Sequence, residues 1–237
     1  MRFLLTYLPK ITGPLRAYYN MFFGEKEIKY LKKYINSKKY KYTFIDIGAN
    51  YGIYSFIFGP KASVLFVVEP IKECIDYIRK GYLKSNAKFY EGVISNDNLD
   101  KNLSVPISNK RYIYGKSSID NKFENSSTIR VKSFKLENFE KYEDIEESEL
   151  LFIKIDVEGH ENHVLQEAGK LLSHLKTLLM IEIEERHNSN YILLFKRLEE
   201  KGFKAYYLCN KDLVEIIQLE NLSLIMKTNI NFIFKNY

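Results

Sequence analysis

Phe152-Ile153-Lys154-Ile155-Asp156-Val157-Glu158-Gly159-His160-Glu161 begins as an apolar strand and ends as a row of titratable side chains. The run Leu150–Val157 reads as a buried strand. Val164, Leu165, Ala168, Leu171 and Leu172 then fall on one side of a following helix. Open α/β sheets bind ligands in the crevice outside the carboxyl ends of their strands. A strand ending in two carboxylates, a glycine and a histidine therefore looks like the floor of an active site.

Working outward, the same alternation continues on both sides. Upstream, Thr43–Ile47, Ser63–Val68 and Lys88–Ile94 read as strands, with helices after the first two; Ile71, Ile75 and Ile78 mark the second. Downstream come a strand at Thr177–Ile183 and a helix at Tyr191–Lys201. Two strand-like runs, Lys204–Leu208 and Ile230–Phe234, finish the chain. Strands alternating with helices imply a parallel sheet of βαβ units. The last two runs have no clear helix between them, so the final strand is expected to run antiparallel. Residues 96–138 are rich in Asn, Ser and Lys, with short alternating runs such as Thr128–Phe134. They read as a hairpin or loop insertion. Ile28, Leu31 and Ile35 mark an amphipathic leading helix over Glu25–Asn36.

Composition narrows the class. With 237 residues, 46% of them apolar, the chain can bury a full core. Cys74 and Cys209 have neither disulfide-framework nor zinc spacing, which fits a reducing compartment. The start Met1-Arg2-Phe3-Leu4-Leu5-Thr6-Tyr7-Leu8-Pro9 resembles a signal peptide only faintly, and no small-residue cleavage site follows. No stretch reaches the roughly 20 apolar residues of a membrane span. A cytoplasmic protein is expected. Residues 1–42 hold ten Lys and Arg against two Glu, within a net charge of +6. Three readings are open for this basic end: a solvated helix face, an anionic membrane surface contacted peripherally, or an anionic acceptor. Nucleic acid is not expected, because the segment carries no recognisable nucleic-acid module.

The first strand ends Asp46-Ile47-Gly48-Ala49-Asn50-Tyr51-Gly52. Glycines permit a sharp turn and close backbone approach to a ligand. The dinucleotide spacing G-x-G-x-x-G is absent, which weakens a nicotinamide reading. A carboxylate just before the loop would repel pyrophosphate and suits a ligand with a cationic or amino-acid end. Glu69 closes the second strand, where an acid can take both hydroxyls of a ribose. Amino-acid end, ribose and sulfonium together describe S-adenosylmethionine.

Three segments resemble the FkbM family of S-adenosylmethionine-dependent methyltransferases: Phe44–Ser55, then Val68-Glu69-Pro70, then Ile153–Glu161 with Val164-Leu165 and Ala168 after it. The resemblance covers about Thr43 to Ile183. It implies a Rossmann-like, seven-stranded mixed sheet, the last strand antiparallel, with helices on both faces. The expected organisation is a basic N-terminal helical extension over residues 1–42 and a methyltransferase domain over 43–237, with the insertion before the fourth strand. The resemblance also implies methyl transfer, usually to a hydroxyl oxygen of a sugar or natural product. By position, Asp46, Gly48, Asn50, Gly52 and Glu69 would hold the cofactor, and the Val93–Ser95 turn, Ile94 included, would lie near the adenine. One segment departs from the family: where T-L-D-D is common, this chain reads Phe134-Lys135-Leu136-Glu137-Asn138-Phe139.

At the strand end, His160 is the first candidate for a general base, because an imidazole ordinarily titrates near neutrality. Asp156 is the second, and could equally orient the acceptor or touch the cofactor's amino end. Glu158 could fix the turn or orient His160. Against these stand structural readings: Glu158 and Glu161 capping the next helix, and His160 as a satisfied buried histidine. Lys154 is expected to pair with a buried acid, and Glu182 to face the same crevice. A required metal is not expected, since His160-Glu161-Asn162-His163 lacks the H-E-x-x-H spacing. The leading function is an O-methyltransferase for a glycan or polyhydroxylated small molecule. The alternatives are an N- or carboxyl-methyltransferase and a cofactor-binding module without catalysis. The insertion and the basic helix are expected to shape the acceptor site or a homo-oligomer contact.

Overall fold

A computed structural model describes residues 8–141, 145, 147–166, 168, 171–173, 176–188 and 190–237. The signal-like start, residues 1–7, lies outside them. The chain opens with two helices, α1 (Pro9–Phe23) and α2 (Lys26–Lys38). Strand β1 (Tyr42–Ile47) follows, then helix α3 (Ile53–Phe58), strand β2 (Val64–Glu69), helix α4 (Lys72–Gly81) and strand β3 (Ala87–Glu91). The third sequence run, Lys88–Ile94, is broken at Gly92. Its last part becomes β4 (Val93–Ile94), which leaves the main sheet.

The insertion contains β5 (Lys101–Ser108), β6 (Arg111–Tyr112) and β7 (Ser126–Val131), an antiparallel sheet of three strands. Strand β8 (Ser133–Phe134) then pairs with β4. The chain re-enters the main sheet through β9 (Leu150–Ile155), helix α5 (Glu161–Gln166) and β10 (Thr177–Glu182). Helix α6 (Tyr191–Glu200), strands β11 (Lys204–Cys209) and β12 (Asp212–Glu215), helix α7 (Leu222–Met226) and strand β13 (Asn231–Lys235) complete it.

The main sheet has eight strands in the order β12-β11-β13-β10-β9-β1-β2-β3. Seven strands are expected from the sequence, so that count is corrected by one. The additional strand is β12, which turns back on β11 at Asn210 and pairs antiparallel along the edge. It is four residues long and largely exposed, so it lacks the apolar run that marks a strand. Strand β13 inserts antiparallel between β10 and β11, as the last strand is expected to do.

Strands β1, β2 and β9 are buried along their whole length, as parallel strands covered on both faces must be. Alternate side chains feed two cores. Ile45, Ile47, Ile153 and Ile155 face one, with α5 and α6. Phe44 and Phe152 face the other, stacked at 4.7 Å under α2 and α3. Helix α2 buries Ile28, Leu31 and Ile35, the stripe its sequence marks.

The sheet order reverses between β1 and β9: the chain proceeds outward from β1 through β2 and β3, then outward on the other side from β9. A crevice opens at such a point, outside the strand ends. Register places the site there. Ile47 pairs with both Val68 and Ile155, so the next residues, Gly48, Glu69 and Asp156, emerge at one level.

Candidate active site

Gly48 is the hinge of the crevice. It has φ +73°, and a Cβ there would fall 1.8 Å from the backbone oxygen of Asp156. Only glycine lets the loop after β1 press against the end of β9. Gly52 has φ +76° and lies against Ile78, where a Cβ would meet Cγ1 at 2.7 Å. It packs the start of α3 onto α4, behind the crevice.

Glu69 is buried, and its two oxygens are spoken for by backbone. Oε2 accepts from Asn50 N at 2.7 Å and Oε1 from Ile71 N at 2.8 Å. The carboxylate thus fixes the glycine loop and the start of α4 together. Each oxygen has a second lone pair for a ligand hydroxyl. Burial pushes its pKa up to about 7, against the pull of those two N–H groups.

The cleft above is lined by Gly48, Asn50, Glu69, Ile94, Asp156, Glu158 and His160, with Val68, Leu103 and Ile119 supplying apolar wall. Tyr114, Gly115 and Ser117 of the insertion cover it. Among the described residues its lining has three carboxylates and neither Lys nor Arg. That chemistry disfavours a pyrophosphate and fits a ligand with a ribose and a cationic end. Seven of the nine sequence-derived site residues therefore converge on one cleft. Asp46 and Gly52 do not line it.

Asp46 lies one layer down. It is fully buried, takes a hydrogen bond from Ser55 Oγ at 2.6 Å, and sits directly opposite Lys154 in the β1–β9 register. Among the described residues its Oδ1 has no hydrogen-bond partner. Burial raises its pKa, while Lys154 and Ser55 pull it back. Lys154 Nζ bonds Asp156 Oδ2 at 2.7 Å. Burial works against the ammonium, but Asp156 and Asp46 outweigh it and hold it firmly charged. The buried acid expected beside Lys154 is Asp46, and the lysine also bonds the partly exposed Asp156 and aims it into the cleft.

His160 is buried with both ring nitrogens engaged: Nδ1 lies 2.7 Å from Asp120 Oδ2 and Nε2 lies 3.1 Å from Ser95 Oγ. His163 stacks on it at 4.4 Å from its half-exposed place on α5. Burial raises the Asp120 carboxyl, but the bond from His160 and the neighbouring His163 more than offset this and leave it below the usual range. Glu161 Oε1 accepts from Gly159 N at 2.9 Å, which fastens the turn ahead of α5.

Glu158 has φ +52° and turns its carbonyl to the insertion, where Ser118 Oγ donates at 2.6 Å and Asn121 Nδ2 at 2.9 Å. With Asp120 on His160, these contacts clamp the insertion to the end of β9. Ser118 is fully buried. Ser118→Ala is expected to lower stability by about 1 kcal/mol, or roughly 2–4 °C in Tm, measurable by calorimetric melting.

Next to the cleft, Asp156, Glu158, Glu182 and Glu184 line one small pocket with His187. Burial, then the Asp156 charge, lifts Glu158 to about 7 and Glu182 to about 8. Two groups place ligand atoms within 4.8 Å of one another and could hold an ion: Asp120, His160 and His163; and Glu158, Glu184 and His187. Acids raised in the folded state favour the protonated form. Their stabilisation is present at low pH and is lost as pH rises through the folded values. His163 and His187 are pulled below 6.5 by burial, so their opposing gain is mostly made below that pH and ends about one unit above it, as the unfolded imidazoles finish losing their protons. Between pH 6.5 and 8 the ligand-free protein is therefore expected to lose about 2 kcal/mol. A fall of roughly 5 °C in Tm over that window would report it.

Asp120, Asn121 and His187 are not legible as site residues: they belong to no motif, and only the folded insertion and strand ends bring them in. Ser95 falls in the turn the family resemblance places near the adenine, but its bond to His160 is not legible. Gly115-Lys116-Ser117-Ser118, a small polar turn, is the one local signal in that region.

The strand order, the glycine hinge and the buried Glu69 define an α/β domain built to bind an adenosyl cofactor with a cationic tail. Residues 46–205 match the methyltransferase FkbM domain model, and the chain belongs to that family. It is an S-adenosylmethionine-dependent methyltransferase. No curated protein matches it by sequence. Among solved structures it is similar to the METTL16 methyltransferase domain, at 11% identity and a TM-score of 0.45, covering 89% of this chain and 66% of that one. It is also similar to the methyltransferase domain of bacterial CtHen1-CN, at 10% identity and 0.45, covering 89% and 96%. A tRNA methyltransferase, TrmI, from Aquifex aeolicus is similar at 14% and 0.41, covering 89% and 67%.

Proposed function

We propose that the protein methylates a hydroxyl oxygen of a sugar, glycan or similar polyhydroxylated molecule. The observation that carries this reading is the hydrogen-bonded row Asp120–His160–Ser95, of which His160 lines the cofactor cleft. S-adenosylmethionine supplies a methyl group on a sulfonium, so transfer is an in-line displacement that needs a positioned nucleophile. Gly48, Asn50 and Glu69 hold the cofactor, with Ile94 beside the adenine. Asp46 and Gly52 shape the loop from behind.

An alcohol attacks poorly while it keeps its proton, and a base within hydrogen-bond reach helps remove it. Ionised Asp120 only accepts, which assigns the hydrogen to Nδ1 of His160 and the lone pair to Nε2. His160 takes the acceptor proton at Nε2, where the Ser95 hydroxyl otherwise donates. Asp120 steadies the imidazolium that forms. Asp156, aimed by Lys154, orients the acceptor. Glu158 fixes the turn that carries His160.

A second reading, methylation of an amine, is favoured by the carboxylates of Asp156, Glu158, Glu182 and Glu184 beside the cleft. A cationic acceptor would be attracted there and would ionise them. Mass spectrometry of surface glycans from cells with and without the gene separates the readings. One methylene mass on a sugar oxygen, lost with the gene, supports the first. The same mass on an amino-sugar nitrogen supports the second, and unchanged glycans remove the glycan acceptor.

A further inference from the structure

Helix α1 is turned inside out. It rests on the domain through its small residues, Pro9, Gly13 and Ala17, spaced four apart and buried. A Cβ at Gly13 would come within 2.5 Å of the Phe56 ring on α3, so a larger residue could not seat the helix. Thr12 Oγ1 lies 2.8 Å from Tyr77 OH of α4, and the Arg16 guanidinium lies over the Tyr51 ring at 5.0 Å. The opposite face carries the large apolar side chains. Ile11, Leu15, Tyr18, Tyr19, Phe22 and Phe23 are each more than half exposed. At 100° per residue they span one arc of the helix. Surface helices of globular proteins show the reverse arrangement, and contiguous exposed apolar patches mark contact sites.

Charge on the rim says what covers this face. Residues 8–24 contain no Asp or Glu. Lys10 is exposed on α1, and the exposed Lys29 and Lys33 on α2 share a groove with Phe22, while Lys26 Nζ is held by Asn229 Oδ1 at 2.7 Å. Tyr and Phe at the apolar–polar boundary with lysines beside them suit the headgroup region of an anionic bilayer. Two copies meeting through this face would oppose their own lysine rows. Among the described residues no helix is long and apolar enough to cross a membrane, so the geometry is that of a helix lying on the surface.

We infer that α1 docks the enzyme on an anionic lipid surface, its Ile11–Phe23 face entering the headgroup layer and the α2 lysines contacting lipid charge. Because α1 packs on α3 and α4, docking holds the glycine-loop side of the domain against the lipid.

Flotation of the full chain with vesicles tests this. Binding is expected to vesicles of phosphatidylcholine mixed with phosphatidylglycerol, to weaken with added salt, and to be slight with phosphatidylcholine alone. Phe22→Glu with Phe23→Glu, and separately the double change Lys29→Glu with Lys33→Glu, should each cut partitioning by roughly tenfold or more. Melting temperature and affinity for S-adenosylhomocysteine should be retained in both, which shows the fold intact. Equal partitioning of wild type and variants, or no preference for the anionic vesicles, overturns the inference. A dimer by light scattering that Phe22→Glu and Phe23→Glu dissociate, with no vesicle binding, overturns it too and assigns the face to a second copy.

Discussion

Replacing Glu69 with alanine is expected to weaken S-adenosylmethionine binding by roughly 100-fold, read by titration calorimetry. Two losses combine. The carboxylate no longer accepts from the ribose hydroxyls, and charge-assisted hydrogen bonds of this type are worth about 1.5–3 kcal/mol. The backbone N–H groups of Asn50 and Ile71 also lose their shared acceptor, which frees the glycine loop. Glu69→Gln separates the two, because one amide oxygen can serve only one of those N–H groups as before. It should fall between wild type and alanine in affinity. Removing a carboxyl raised to about 7 also removes its share of the stability loss between pH 6.5 and 8. The alanine variant should thus bind poorly while melting with a shallower pH dependence. Cofactor affinity equal to wild type would remove Glu69 from the binding site.

His160→Ala is expected to lower turnover by about 10²–10⁴-fold, the range of general-base contributions, with cofactor affinity kept within a few-fold. Steady-state kinetics with saturating cofactor reads the first and calorimetry the second. Asp120→Asn is the informative companion. It keeps a hydrogen-bonding partner near Nδ1 but removes the charge that steadies an imidazolium. Turnover should fall, and the pH profile should move, while the melting temperature changes little. If His160 only tied the insertion to β9, both variants would lose stability and leave the pH profile where it was. The contacts of Ser118 and Asn121 with Glu158 already supply that tie.

What the sequence revealed follows from how local each signal is. Strands β1, β2, β9 and β10 are short apolar runs bounded by turns, and the sheet makes them parallel neighbours. The glycine loop and Glu69 were readable because strand ends carry their own punctuation. Asp46 was readable as part of that motif but not as a buried support, because its distance from the cleft is set by its cross-strand partner, Lys154. Asp120 reaches His160 across forty positions of chain, through an insertion whose composition has no strong period. Helix α1 was hidden for two reasons: Gly13 and Pro14 interrupt its pattern, and its large apolar residues point outward, so periodicity alone places its core on the wrong side. Strand β12 was too short and exposed to register.

The crevice between β1 and β9 holds an adenosyl sulfonium rather than a dinucleotide. Titration calorimetry of the full chain with S-adenosylmethionine, and in parallel with NAD, addresses it directly. Affinity in the micromolar range for the first and no heat of binding for the second is the result expected from three carboxylates and no Lys or Arg among the described residues lining that crevice. No binding of S-adenosylmethionine, or equal binding of NAD, would contradict it.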